Sequence, residues 1–181
     1  KLHLQHYPLE RSHPDSACQS HLSAALHFGH ISVFEMLADL IPDWDPQQVP
    51  KANGKRNGWW LRSEAVEAFL DQVLTWRELG AVQAHRNLDA FTQYSGLPEW
   101  ARKTLDDHRS DPRSRVYTLE QLASAQTDDP LWNAAQRELV EQGRIHNALR
   151  MLWGKKVLGW TAEPQDAFHI LVELNNRYAI D

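Results

Sequence analysis

The sequence predicts an all-α fold, on the strength of three stretches. Asp129 to Trp160, DPLWNAAQRELVEQGRIHNALRMLWGKKVLGW, is laid out as two helices joined by a tight corner. Ser63 to Leu79 is a capping serine followed by an amphipathic pattern, and Thr161 to Asp181 carries another apolar series at helical spacing. In the first stretch, Asp129 offers a cap and Pro130 suits a first helical turn. Leu131, Ala135, Leu139 and Val140 form an apolar stripe, and Gly143 stands where a left-handed C-cap ends a helix. A second helix starts near His146. Leu149, Trp153, Val157 and Trp160 recur at intervals of four, four and three, which turns a seam of large groups inward and leaves Lys155 and Lys156 outside.

Taken from the start, Lys1 to Gln19 has little periodicity and is expected to be an extended lead-in, with Tyr7 as its marked residue. Gln19-Ser20-His21-Leu22-Ser23 precedes a helix-like run from Ala24 to Gly29. Hydroxyls and backbone N–H groups at a helix start suit an anionic diphosphate, although Ser-x-x-Ser alone is only a capping signal. His27 and His30 lack the further ligands a metal site needs, so no metal is expected. Ser32-Val33-Phe34-Glu35 reads as a capping box, with Phe34, Leu37 and Ile41 inward. Asp43 to Trp60 is a loop by its proline, glycine and asparagine content. Ser63 then caps a helix through Leu79, with Val66, Phe69, Leu70, Val73 and Trp76 on its apolar side. Pro98 suits another first turn, and Thr118-Leu119-Glu120-Gln121 is a second capping box. The last helix turns Phe168, Leu171 and Leu174 inward.

Composition narrows the function classes. At 181 residues and 42% hydrophobic, the chain can bury one sizeable core, and eight tryptophans argue for stacking chemistry as well as packing. A single cysteine, Cys18, excludes an internal disulfide and fits a reducing compartment. No apolar run approaches the roughly 18 residues of a membrane span, so a soluble, intracellular protein is expected. The net charge of −5 argues against a globally basic nucleic-acid binder, so DNA binding would need a local patch. Two candidates are Lys51, Lys55 and Arg56, and the stretch Arg102, Lys103, Arg109, Arg113 and Arg115.

Each tryptophan alone reads as core. Trp153 and Trp160, however, lie two helical turns apart on one face, and Trp132 lies on the preceding helix. Jointly with Gln19–Ser23, Leu26-His27-Phe28-Gly29, Trp76-Arg77-Glu78-Leu79, Leu97-Pro98-Glu99-Trp100 and His146-Asn147-Ala148-Leu149-Arg150-Met151, this pattern resembles the flavin-binding catalytic domain of the DNA photolyase/cryptochrome family. Within it, the pattern is most like the class II cyclobutane pyrimidine dimer photolyases. The resemblance covers nearly all of the chain. It departs at Ala81 to Gly96, and at Trp76, where class II members usually carry arginine.

The resemblance implies a multi-helical domain that binds FAD and splits pyrimidine dimers in UV-damaged DNA with an electron from the photoexcited reduced flavin. Such a protein would work in the cytoplasm, at the nucleoid, or in the nucleus. A photosensor that uses the same flavin without repair is the alternative. The resemblance assigns Trp153, Trp132 and Trp160 to an electron relay running outward from the flavin, and Asn175 to the flavin N5. Tyr7, Ser20, His21, Leu22, Ser23, Arg77, Glu78, Asn147, Arg150 and Asp181 would line the cofactor pocket, with Arg150 paired to an aspartate. Asn147 and Met151 would meet the lesion, and Trp76 either faces DNA or fills the core. Residues 1–181 are expected to be part of that catalytic domain, without the α/β antenna domain that begins family members or their C-terminal helices.

Overall fold

The computed structural model describes residues 4–16, 18–48, 58–86 and 91–180. The elements in these residues are helices and turns, with no strand among them, as the sequence predicts. The chain divides into two compact units, Lys1–Gln83 and Ala84–Asp181.

The first unit opens on a single 3-10 turn, Leu4–His6, that continues into α1, Tyr7–Glu10. The expected extended lead-in is therefore a helical turn. Pro8 supplies a first-turn residue, and the Tyr7 ring packs edge-on against Phe69 at 5.4 Å, which anchors the turn. Two short helices follow, α2 (Ser23–His27) and α3 (Val33–Leu40). Ser32 Oγ accepts the Phe34 N–H at 3.2 Å, a one-sided cap in place of the reciprocal box. Phe34, expected inward, is 82% exposed. Ile41 is buried, but its backbone has left the helix, with φ −137° and ψ 56°, so it does not extend a stripe through Phe34.

Next comes α4, Glu64–Leu70, which runs into a π-helical turn, Asp71–Trp76, and then α5, Arg77–Arg86. The helical stretch is thus longer than expected and changes pitch. A π turn takes more residues per revolution, and beyond it the predicted apolar face no longer points inward. Phe69 and Leu70 are buried, whereas Trp76 is 53% exposed. The preceding loop is tied down by a residue with no sequence signal of its own. The buried Glu67 carboxylate accepts the backbone N–H groups of Gly58, Trp59, Trp60 and Arg62 at 2.8–3.3 Å. Those donors satisfy an otherwise costly buried charge.

The second unit contains α6 (Glu99–Asp107), α7 (Leu119–Ala123), α8 (Pro130–Gln142), α9 (Asn147–Gly159) and α10 (Pro164–Tyr178). Thr118 and Gln121 form the predicted reciprocal box at the start of α7. The core gathers Leu122, Trp132, Ala135, Leu139, Ile145, Trp153, Val157, Trp160 and Leu174. On α8 the inward arc differs from the predicted stripe, because Leu131 is 68% exposed and Val140 is also exposed. Burying Trp132 instead of Leu131 moves the arc by one position, about 100° around the axis. The indole's larger surface decides that competition.

Gly143 ends α8 as the sequence predicts, in the left-handed region at φ +72°, with its N–H on the Leu139 carbonyl. Its carbonyl accepts the Ile180 N–H at 2.8 Å, and a Cβ built there would lie 2.8 Å from Ile180 Cγ1. The corner thus pins the residues after α10 against the end of α8. Gly143→Ala must accept both a left-handed backbone and that collision, so it should destabilise the chain by about 2 kcal/mol or more, read from the denaturant midpoint. An unchanged midpoint would contradict the packing at this corner.

Candidate functional site

The candidate site is built where α8 and α9 meet. Asp129 caps α8: its Oδ1 accepts the N–H groups of Leu131 and Trp132 at 3.1 and 3.0 Å, and its Oδ2 lies 3.2 Å from Lys156 Nζ on α9. The Trp132 N–H is the chief influence holding the Asp129 carboxyl below its ordinary value, aided by Lys156 and the Leu131 N–H and opposed by partial burial. One carboxylate therefore starts α8 and ties it to α9.

With the two helices held, the indoles form a line. Trp132 and Trp153 form an offset parallel stack, with centroids 6.0 Å apart and planes 2° from parallel. Trp160 meets Trp132 edge-on at 5.5 Å, and Tyr117 meets Trp160 edge-on at 5.3 Å. Trp132 and Trp153 are 3% and 2% exposed, and Trp160 is 9% exposed. Buried indole N–H groups need acceptors. Trp132 Nε1 donates to the Trp153 carbonyl at 3.0 Å, and Trp153 Nε1 donates to Gln136 Oε1 at 2.9 Å. Lys156 Nζ sits 5.4 Å from the Trp160 ring centroid, a cation–π contact that opposes the removal of an electron from that ring. Beside the stack, Leu131, Leu149, Leu152, Lys155 and Lys156 help line a groove of about 250 Å³.

The other predicted site residues of the second unit lie along α9 and α10. His146 caps α9, its Nδ1 accepting the Ala148 N–H at 3.1 Å. Asn147 is exposed, Arg150 is half-buried and Met151 is 59% exposed, and the three occupy one side of α9 at spacings of three and four. Asn175 Nδ2 donates to the Leu171 carbonyl of its own helix at 2.8 Å. Asp181 lies outside the described residues.

In the first unit, Ser20 Oγ accepts the Leu22 N–H at 3.4 Å, and His21 adopts a left-handed backbone with φ +54°. Leu22 is the N-cap of α2, which begins at Ser23. Tyr7 is half-buried against Phe69, and burial pushes its phenol pKa up. Trp76 does not fill the core; its exposed indole donates to Asp71 Oδ2 at 3.1 Å. Arg77 and Glu78 pair with each other at the surface.

Of the two basic stretches, Lys51, Lys55 and Arg56 lie outside the described residues. In the other, the arginines have partners within the unit. Arg102 donates to the Leu97 carbonyl, Arg109 pairs with Glu163 at 2.6 Å, Arg113 donates to the Thr161 carbonyl and Arg115 pairs with Asp128 at 2.9 Å. Among the described residues no three-residue cluster could hold a metal, and no helix is long and apolar enough to cross a membrane.

Sequence reasoning missed Gln136, Tyr117 and the Asp129–Lys156 bridge. Gln136 did leave a signal: it lies one turn beyond Trp132, a polar residue inside an apolar arc.

No family model matches the chain. Individual proteins do. It is 41% identical over 174 residues to the deoxyribodipyrimidine photo-lyase of Methanothermobacter thermautotrophicus, a match covering 94% of this chain and 34% of that protein. The protein of the same name from Oryza sativa is 38% identical over 179 residues, covering 98% of this chain and 32% of its own length. That from Arabidopsis thaliana is 38% identical over 185 residues, covering 98% and 33%. The chain is a relative of the photolyases along nearly its whole length. It spans about a third of the length of these curated relatives.

For this photolyase relative, the cap at Asp129 makes stability depend on pH. The folded carboxyl value lies below the ordinary one of 3.8, so its contribution is whole above that value and is lost as pH falls through the folded value. Asp129→Ala should cost about 1 kcal/mol at pH 7, and the gap to the parent should narrow in acid. Denaturant titrations at several pH values would read this, and a pH-independent gap would contradict the assignment.

Proposed function

We propose that this chain is the flavin-binding part of a light-driven DNA repair enzyme that splits cyclobutane pyrimidine dimers in UV-damaged DNA, with FAD as its cofactor. The observation that carries the proposal is the unbroken line Trp153–Trp132–Trp160, at centroid separations of 6.0 and 5.5 Å, in a chain 34–41% identical to four photolyases. Indole is among the most easily oxidised side chains. Stacked and edge-on indoles at these separations can hand on an electron in steps too short to need mobile parts. No observation favours the photosensor alternative.

Bound FAD supplies the one-electron photochemistry that no side chain of the chain provides. The residues near the start of α9 suit such a group. Because His146 Nδ1 accepts a backbone N–H, the ring proton sits on Nε2, and that atom is buried with no hydrogen-bond partner among the described residues. An oxygen acceptor, such as a cofactor carbonyl or phosphate offers, is what this donor lacks. In this reading Asn147 and half-buried Arg150 contact the cofactor and Met151 meets the lesion. Asn175 addresses the flavin ring from α10, and the family resemblance assigns Asp181 to the same pocket. The family resemblance also assigns flavin contacts to Tyr7, Ser20, His21, Leu22, Ser23, Arg77 and Glu78. Trp76, with its exposed indole, is a stacking surface for DNA. The dimer is turned out of the duplex before it is split, and a damaged, poorly stacked site costs least to open, which contributes to selectivity. An enzyme of this kind works where the cell keeps its DNA.

The test is visible absorption of the purified protein with FAD, followed by illumination with an external reductant. The parent should hold flavin and photoreduce it, and Trp153→Phe should hold flavin but lose photoreduction. Arg150→Ala should lose the flavin itself. Photoreduction unchanged in Trp153→Phe would contradict the relay, and full flavin retention in Arg150→Ala would contradict the pocket.

A further inference from the structure

The hydrogen bonds of the two stacked indoles share a chemical feature. Gln136 is 0% exposed and bridges α7 to α9. Its Oε1 accepts the Trp153 N–H at 2.9 Å, and its Nε2 donates to the Ala123 carbonyl at 3.4 Å. The Trp132 N–H goes to the Trp153 main-chain carbonyl at 3.0 Å. Both acceptors are therefore amide oxygens, which hydrogen-bond well but do not take up a proton at neutral pH.

We propose that Gln136 is a positioning residue for Trp153, which fixes its ring against Trp132 and keeps its indole proton in place while an electron passes. The inference rests on the relay reading given under Proposed function. When one electron leaves the Trp153 ring for a photoexcited oxidised flavin, the indole N–H becomes strongly acidic. Beside a basic acceptor the proton would leave, and refilling the ring would then require that proton to return. Beside an amide it stays. A single electron from Trp132 then restores neutral Trp153, and one from Trp160 restores Trp132. One electron is gained at the flavin for each one lost at the outer indole, and no proton moves at the two inner rings. The acceptor for Trp132 is main chain, so Gln136 is the one side chain by which sequence sets this property at the stack.

The test uses the FAD-loaded protein with Gln136→Glu and Gln136→Met. Glutamate keeps the shape but offers a carboxylate. Burial raises its pKa above the ordinary glutamate value, so its ionisation falls within an accessible pH range. Photoreduction by Gln136→Glu should be near the parent's when the carboxyl is neutral and fall several-fold as it ionises, while the parent stays flat. Transient spectra of the ionised variant should show a deprotonated tryptophan radical from the earliest times. Gln136→Met keeps the volume without the acceptor. It should lower photoreduction several-fold at every pH and weaken the near-ultraviolet circular dichroism of the stacked pair, with the far-ultraviolet spectrum unchanged. A Gln136→Glu pH profile matching the parent's would overturn the proton-holding role. Parent-like photoreduction and near-ultraviolet dichroism in Gln136→Met would overturn the positioning role, and this decides the matter should Gln136→Glu not fold. If Trp153→Phe photoreduces normally, the relay reading itself fails; if it does not while both Gln136 variants match the parent, only the Gln136 inference fails.

Discussion

The parallel, offset stacking of Trp132 with Trp153 is the constraint on which the second unit depends. Two large rings within 2° of parallel fix both the separation and the rotation of α8 against α9. Each neighbouring feature keeps that register. Asp129 starts α8 one turn before Trp132 and reaches across to Lys156. Gln136, a turn later, holds the Trp153 indole from below, and Gly143 turns the chain where no side chain would fit. A stacked pair is worth only about 1 kcal/mol beyond its buried area. Its consequence is geometric, because it lets three rings meet in sequence.

The same contacts create an electrical gradient along the line. The two inner rings are buried and bonded to neutral amide oxygens, whereas Trp160 lies beneath an ammonium group and beside Tyr117. Lys156 is paired with Asp129, so its charge over Trp160 is partly offset. Arg109, Arg113 and Arg115 are spent on struts within this unit.

Several local signals were legible, although Ser32 forms only half of its box and Ser63 precedes its helix without a side-chain cap bond. Asp129–Pro130, the Thr118 box and Gly143 are each specified by a few adjacent residues, and each forms as the sequence predicts. Facing was harder. Leu131 and Trp132 both suit an inward position, and only packing decides between them. Ile41 fits a helical stripe until its backbone leaves the helix, and the π turn at Asp71–Trp76 alters a register that a constant period assumes. Gln136 shows as a polar residue inside an apolar arc, but periodicity does not name its partner Trp153, and Glu67 reads as an ordinary polar residue because its partners are backbone groups of the preceding loop. The tryptophan spacing places Trp153 and Trp160 on one face, but the choice of these three among eight came from family resemblance. Their stacking and angles emerge only from the packed helices.

What the indole line is for is tested most directly by a repair assay. A thymine-dimer oligonucleotide would be incubated with the protein carrying reduced FAD, in the dark and under blue light, and intact thymines counted. The account predicts dimer splitting that requires light and bound flavin. Flavin that binds and photoreduces, with dimers left intact under light, would contradict a repair function and favour a photosensor.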